Sequence, residues 1–160
     1  MTRGLGPKTI ELPALETISG SMVLISLAQL ESIELGALRT VKGFNGTSVM
    51  LDTLRELTSF HMASLEATPS DFSLHDIGTN TGAVLDLDLK ALTSIGGNLK
   101  VVLIPGLSNL DGLSTLESVT GAVIVTDNAA LPTCDATDLV ERVNAGSSNV
   151  INNLADSCSP

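Results

Sequence analysis

The chain has 160 residues, a formal charge of -10 and a pI near 4.3. That length suits one domain whose core needs no metal or dense disulfide network. Eighteen Asp+Glu against eight Lys+Arg argue against docking on phosphate backbones or anionic headgroups. Hydrophobic residues at 43% argue against disorder, and aromatics at 2% (three Phe, no Trp, no Tyr) leave the core to small and branched aliphatics.

Residues 1–9 read as an N-terminal tail. The opening MTRGLGPKTI has no apolar signal core. Two readings stand: a cytosolic chain, or a mature piece with an added Met. No apolar run is long enough for a transmembrane helix.

Residues 10–131 carry an internal repeat. Leu12-Pro-Ala-Leu15-Glu-Thr-Ile18 returns at Leu35–Val41, Met62–Thr68, Leu89–Ile95 and Leu113–Val119, with offsets of 23, 27, 27 and 24 residues. Each copy reads apolar, two small or polar, Leu, two polar, then usually a β-branched residue. Glycine follows in four copies, at Gly20, Gly43, Gly96/Gly97 and Gly121. β-prone stretches come next: Met22–Ile25, Val49–Leu51, Val84–Leu89, Leu99–Ile104 and Val123–Val125. A second Leu-x-x-Leu follows most of them, as in Leu27/Leu30, Leu54/Leu57 and Leu107/Leu110. Glycines and Ser/Thr interrupt each candidate helix before a third turn, so the spacing of three reads as a strand turning a corner. A period of 20–29 residues is that of leucine-rich and β-helix repeats, whose coils bury their aliphatic faces only by stacking.

The segment from Thr68 to Thr81 breaks the rhythm and reads as an irregular loop holding Asp71, His75 and Asp76. After Pro132, Asp135 reads as an N-cap and Gly146 as the stop of a short amphipathic helix containing Leu139, Val140 and Val143. Residues 132–160 thus form a C-terminal cap over the open end of the stack. The two Cys, Cys134 and Cys158, fall here. A bridge between them would close a loop of 25 residues, worth roughly 3 kcal/mol; the alternative is two unrelated free thiols. Asn45-Gly46-Thr47 is a glycosylation sequon, meaningful only in a eukaryotic secretory protein.

Chemical motifs are sparse. Walker, GxGxxG, HExxH, CxxC, EF-hand and GxSxG patterns are absent. His75-Asp76 beside Asp71 is one cluster with metal-ligating residue types, but neighbours on an extended chain point apart. Asp86 and Asp88 alternate with Leu85, Leu87 and Leu89, which puts two carboxylates on one strand face. Such a pair suits a polysaccharide-active enzyme or a Ca²⁺ site, but no third acid or Lys/Arg partner recurs at a neighbouring rung, so a solvated strand face is the preferred reading. Met22, Leu24, Met50 and Val102 suggest an exposed apolar partner surface, unless the register is off by one. No Thr-x-Thr ladder of the ice-binding kind lies in register. No cofactor is expected.

The stretch Leu89–Leu131, with its Leu-x-x-Leu-x-x-Ile, Gly, β segment, Asn/Asp-rich turn and further Leu-x-x-Leu, resembles the receptor L-domain family. That family includes the ligand-binding L domains of insulin- and EGF-type receptors and surface proteins of fungi and bacteria. Asn128-Ala-Ala-Leu131-Pro-Thr-Cys134, a helix and a later Cys158 resemble the closing of bacterial members. Pro105-Gly106 stands where the family turn carries Asn, and no Cys-rich module follows. The resemblance implies an all-β, right-handed parallel β-helix without catalysis, and transfers no ligand-contact residue. With about five coils and a capping helix, the expectation is a non-enzymatic cell-surface or secreted module binding a protein or glycan across a sheet face. The alternatives are a spacer or adhesin segment of an envelope protein and, last, a β-helix polysaccharide enzyme using Asp86 and Asp88. Neither nucleic acid nor membrane insertion is expected.

Overall fold

The computed structural model describes residues 6–80 and 82–156. The chain winds as a β-solenoid of parallel rungs. The first coil holds β1 (Thr9–Glu11), β2 (Thr17–Ile18) and β3 (Met22–Ile25). The second holds β4 (Ser32–Glu34), β5 (Thr40–Val41) and β6 (Thr47–Leu54). The third holds β7 (Ser59–His61), β8 (Ala67–Thr68) and β9 (Asp71–Ile77). The fourth holds β10 (Asp86–Asp88), β11 (Ser94–Ile95) and β12 (Leu99–Val102). In the fifth coil a 3₁₀ turn, Asp111–Leu113, replaces the first strand, and β13 (Ser118–Thr126) runs through the second and third positions. The sixth has α1 (Thr133–Arg142) and then β14 (Asn144–Ile151).

Three faces result. First strands pair as β1-β4-β7-β10; the short second strands as β2-β5-β8-β11-β13; the long third strands as β3-β6-β9-β12-β13, with β14 on β13. Every named strand pairing is parallel, and the register superposes residues at repeat spacing, such as Ile33 on Phe60 and Leu87.

The recurring Leu-x-x-Leu is a reverse turn, not a helical stripe. Leu15, Leu38, Leu65, Leu92 and Leu116 each donate the backbone N–H to the carbonyl three residues back, at 2.9–3.1 Å. Leu30, Leu57, Leu107 and Leu131 do the same at the next corner, each at 3.1 Å. The spacing of three keeps both leucines of a turn inside while the chain changes direction. Leu38, Leu65, Leu92 and Leu116 are fully buried, whereas Leu15 in the first coil is only partly so. Two of the three Phe, Phe60 and Phe72, stack in the third coil with ring centroids 6.4 Å apart. The glycines after the fourth and fifth copies have a packing reason: a Cβ on Gly96 would run into the Pro69 backbone, and one on Gly121 into Gly97, each one coil away.

A left-handed residue recurs at the end of each third strand. Ser26, Thr53, Asp76, Leu103, Asp127 and Asn152 all have φ between +51° and +61°. Short polar side chains tolerate that left-handed conformation; leucine pays for it with a Cβ–carbonyl clash of about 1–2 kcal/mol. Leu103 is also 43% exposed, so it gains little from packing. Leu103→Asn is therefore expected to stabilise the fold by about 0.5–1 kcal/mol. Chemical denaturation checks this: an unchanged or lower midpoint would show the corner to be unstrained.

Several expectations need correction. The stack has about six turns rather than five, because Asn144–Ile151 is a further rung; Gly146 lies inside β14 and does not stop the helix. The helix starts at Thr133, so Asp135 sits in its first turn and is not the N-cap, a place taken by Pro132. The segment from Thr68 is no irregular loop: Asp71–Ile77 is β9, paired with β6 and β12. Phe72, Leu74 and Ile77 are buried there, so the apolar alternation outweighs the turn signal of Pro69-Ser70. Cys158 lies outside the described residues, and with it the expected Cys134–Cys158 pairing. No helix is long and apolar enough to cross a membrane among the described residues.

Candidate functional site

The long-strand face was the expected apolar partner surface. Met22 is instead buried and Leu24 packs partly against the core; Val23 and Ile25 face outward, 47% and 49% exposed. The four-aliphatic run Met22–Ile25 has no polar residue to fix its face, and pairing with β6 puts Met22 over buried Val49. Met50 and Val102 do face outward, half-buried. They form no continuous patch, because Ser73 and Lys100 follow Met50 along its column, while Asp52 and His75 precede Val102 in the other.

Asp71, His75 and Asp76 reach three different partners. Asp71 accepts from the backbone and side-chain nitrogens of Asn98 at 2.8 and 3.0 Å, and Asn98 in turn accepts from the Ala122 N–H. His75 Nδ1 lies 3.0 Å from Asp52, and Asp76 accepts from Arg55 at 2.8 Å and from Thr79 at 3.0 Å. The three side chains act as ties between coils. Among the described residues no group of three His, Cys, Asp or Glu is placed to hold a metal ion.

The contact with His75 holds the Asp52 carboxyl below its ordinary 3.8, aided by the Thr53 hydroxyl and opposed by partial burial. A lowered folded-state value means stability that is present above 3.8 and lost as pH falls through the lower folded value. The Tm advantage of the native chain over Asp52→Asn is therefore expected near neutrality and should shrink as pH falls below 3.8. It should be small, because both side chains are about one-third to two-fifths exposed. A Tm difference that is constant across the acid range would contradict the assignment.

On the first-strand face, Asp86 and Asp88 point outward around buried Leu87. They have separate engagements. Asp86 lies 3.1 Å from His61 Nε2, while Asp88 accepts from the Lys90 N–H at 3.3 Å. His61 Nδ1 is 2.9 Å from Glu34, and Ser59 donates to the same carboxylate at 2.8 Å. Ser59, His61 and Glu34 superficially resemble a nucleophile, base and orienting acid. The serine proton, however, is given to Glu34, Ser59 Oγ is 3.4 Å from His61 Nε2, and Asp86 occupies that nitrogen. What this face offers is a row of acceptors for hydroxyl or amino groups. One-dimensional reading missed Glu34 and Ser59, yet the signal was the repeat offset itself: 34, 61 and 88 are each 27 apart, as are 32, 59 and 86.

A concavity of about 710 Å³ lies open on the short-strand face and crosses the second to fifth coils. Its floor is a column of small outward residues, Thr40, Ala67, Ser94 and Ser118, stacked in register. The rim carries Lys42 and the pair Arg39–Glu66, at 3.5 Å. Small side chains leave a trough here because bulkier ones flank it; the rungs are roughly 4.8 Å apart, and those of Thr40, Ser94 and Ser118 carry hydroxyls while Ala67 interrupts the row. This is a site none of the sequence expectations singled out.

At the far end, α1 covers the fifth coil. Arg142 donates from both terminal nitrogens to the carbonyls of Leu113, Ser114 and Leu116, at 2.6–3.2 Å. The Cys134 N–H at the helix start donates to Asp156 at 3.2 Å. Burial, followed by the charges of Asp111, Asp138 and Asp156, raises the Asp135 carboxyl above its ordinary value.

No family model, curated protein or solved structure matches the chain.

Proposed function

We propose that the chain is a non-enzymatic recognition module of the receptor L-domain kind, displayed at a cell surface or secreted. It binds an extended protein or glycan segment laid across the short-strand face. The observation that carries this reading is the trough over Thr40, Ser94 and Ser118. A long, shallow, hydroxyl-lined channel crossing four coils suits a polymer whose units repeat, more than a compact metabolite that needs enclosure. The rim of Arg39, Lys42 and Glu66 supplies charge-assisted contacts at its edge.

The test is a screen of the immobilised chain against a glycan array and an extracellular protein library. Ser94→Arg serves as a variant that fills the trough from an outward position. Binding that falls at least about tenfold, equivalent to 1.4 kcal/mol, with Ser94→Arg is expected. Binding indifferent to this substitution, or turnover of a polysaccharide, would reject the proposal.

A second reading, a spacer segment in a longer stack, draws on the first coil. Ile10, Leu15, Ile18, Leu24 and Leu27 are only partly buried there, as in a coil covered on one side. Adding a copy of the second coil ahead of Thr9 would then raise the Tm; an unchanged Tm counts against it.

A further inference from the structure

We infer that Asn45 is an N-glycosylation site whose first sugar rests on the ring of Phe44. The inference uses the secretory placement proposed above and adds to it a modification at a different corner of the stack. Phe44, Asn45, Gly46 and Thr47 close a two-residue hairpin. The Phe44 N–H donates to the Thr47 carbonyl at 2.9 Å, and the Thr47 N–H returns to the Phe44 carbonyl at 3.1 Å. Asn45 has φ +49° and Gly46 φ +81°, the pair of left-handed residues that defines a type I′ turn and favours Asn-Gly. Neighbouring coils pin this turn from both sides: Ser21 Oγ donates to the Thr47 carbonyl at 2.6 Å, and the Asp71 N–H donates to the Gly46 carbonyl at 3.1 Å.

The turn presents every part of an acceptor at once. Asn45 stands exposed at its tip, with Thr47 two residues on completing the Asn-x-Thr sequon. Phe44 is the anomaly that a glycan explains. Phe60 and Phe72 are buried, yet Phe44 is 69% exposed, the highest exposure among the large exposed hydrophobics of the described residues. An aromatic ring left in water beside a sequon offers its face to the C–H face of an N-acetylglucosamine. Phe44 and Thr47 are directly opposed across the hairpin, one on each side of the Asn45-Gly46 tip.

The chemistry needs a lipid-diphosphate-linked oligosaccharide and the membrane transferase that uses it. The Asn45 side-chain nitrogen bonds to the anomeric carbon of the donor's terminal N-acetylglucosamine. The bond from that carbon to the phosphate oxygen breaks, the lipid diphosphate leaves, and one amide proton passes to a base of the transferase.

The experiment is secretion of the full chain from a eukaryotic cell behind a generic leader, followed by mass spectrometry with and without an amidase that removes N-glycans. The expected result is an amidase-sensitive mass increment on the Asn45 peptide, lost in both Asn45→Gln and Thr47→Ala. The glycosylated chain should melt about 2–4 °C above the amidase-treated one, the size expected of one favourable contact in a domain of this length, and Phe44→Ala should remove that gap. A folded, secreted chain with Asn45 unmodified overturns the site; an equal gap with and without the ring overturns the role of Phe44. Ligand binding with an unmodified Asn45 would sink this inference alone, and a modified chain without any ligand would sink only the recognition reading.

Discussion

Asn128→Leu is expected to destabilise the protein by about 2–4 kcal/mol, although leucine fills almost the same space and aliphatics occupy the equivalent place in four other coils. Directly after the left-handed residue of each third-strand corner stand Leu27, Leu54, Ile77 and Ile104, then Asn128 and Asn153. Asn128 is 0% exposed. Its side-chain oxygen accepts from the Ile104 N–H at 3.0 Å, and its nitrogen donates to the Val101 carbonyl at 3.0 Å and to Asn153 at 3.1 Å. Asn153 donates onward to the Val125 carbonyl at 2.9 Å. Leucine would leave the buried Ile104 N–H without its acceptor and remove the side-chain donor from the Val101 carbonyl, and that loss outweighs the gain in apolar burial. Urea unfolding of the two chains measures it. A cost below about 1 kcal/mol would mean that water replaces the amide and that the site is not sealed.

Leu92→Ala should cost about 3–5 kcal/mol, and Leu15→Ala clearly less. Both leucines occupy the same position of the same turn. Leu92 lies in the fourth coil, fully buried, with strand ladders holding the coils above and below at fixed spacing; the cavity left by truncation therefore cannot collapse. Leu15 lies in the first coil and is only partly buried, so less burial is lost there. The same denaturation series tests the column as a whole. Equal losses at the two positions would mean that the turns are not equivalent rungs of one stack.

The repeat was legible because it is written in volumes. Leucine at every third place around a corner, glycine where coils touch, and β-branched residues between them all recur at near-constant spacing. Stacking then follows, since no coil buries its own leucines. What escaped was everything that depends on what lies one rung away. The strand Asn144–Ile151 stays hidden, its start read as the end of the helix at Gly146, because β14 has one coil beneath it and solvent exposure along most of its length. The direction of Met22–Ile25 cannot be read from four consecutive aliphatics; only Val49 across the ladder decides it. Asp71–Ile77 mixes acids and histidine with Phe72, Leu74 and Ile77, so its polar half, which ties adjacent coils together, reads as a loop. His61 with Glu34 and Asp86 is invisible to local motif searches, because its parts come from three coils. The trough over Ser94 is a shortage of bulk, and small residues announce nothing until neighbours rise around them.

The strand β13, which passes unbroken through a corner that the first four coils make with separate strands, gives the molecule a direction. It joins two faces at the C-terminal end, where Arg142, the Asn128–Asn153 pair and α1 add further ties. Among the described residues nothing comparable secures the opening coil, where Leu15, Leu24 and Leu27 are only partly buried. Thermal fraying would therefore start at the beginning of the chain and travel toward its end, as a spool unwinds from its loose thread. The Phe44 hairpin, in the second coil, would stand near the front of that retreat, and a sugar fixed there would act as a brake on unravelling.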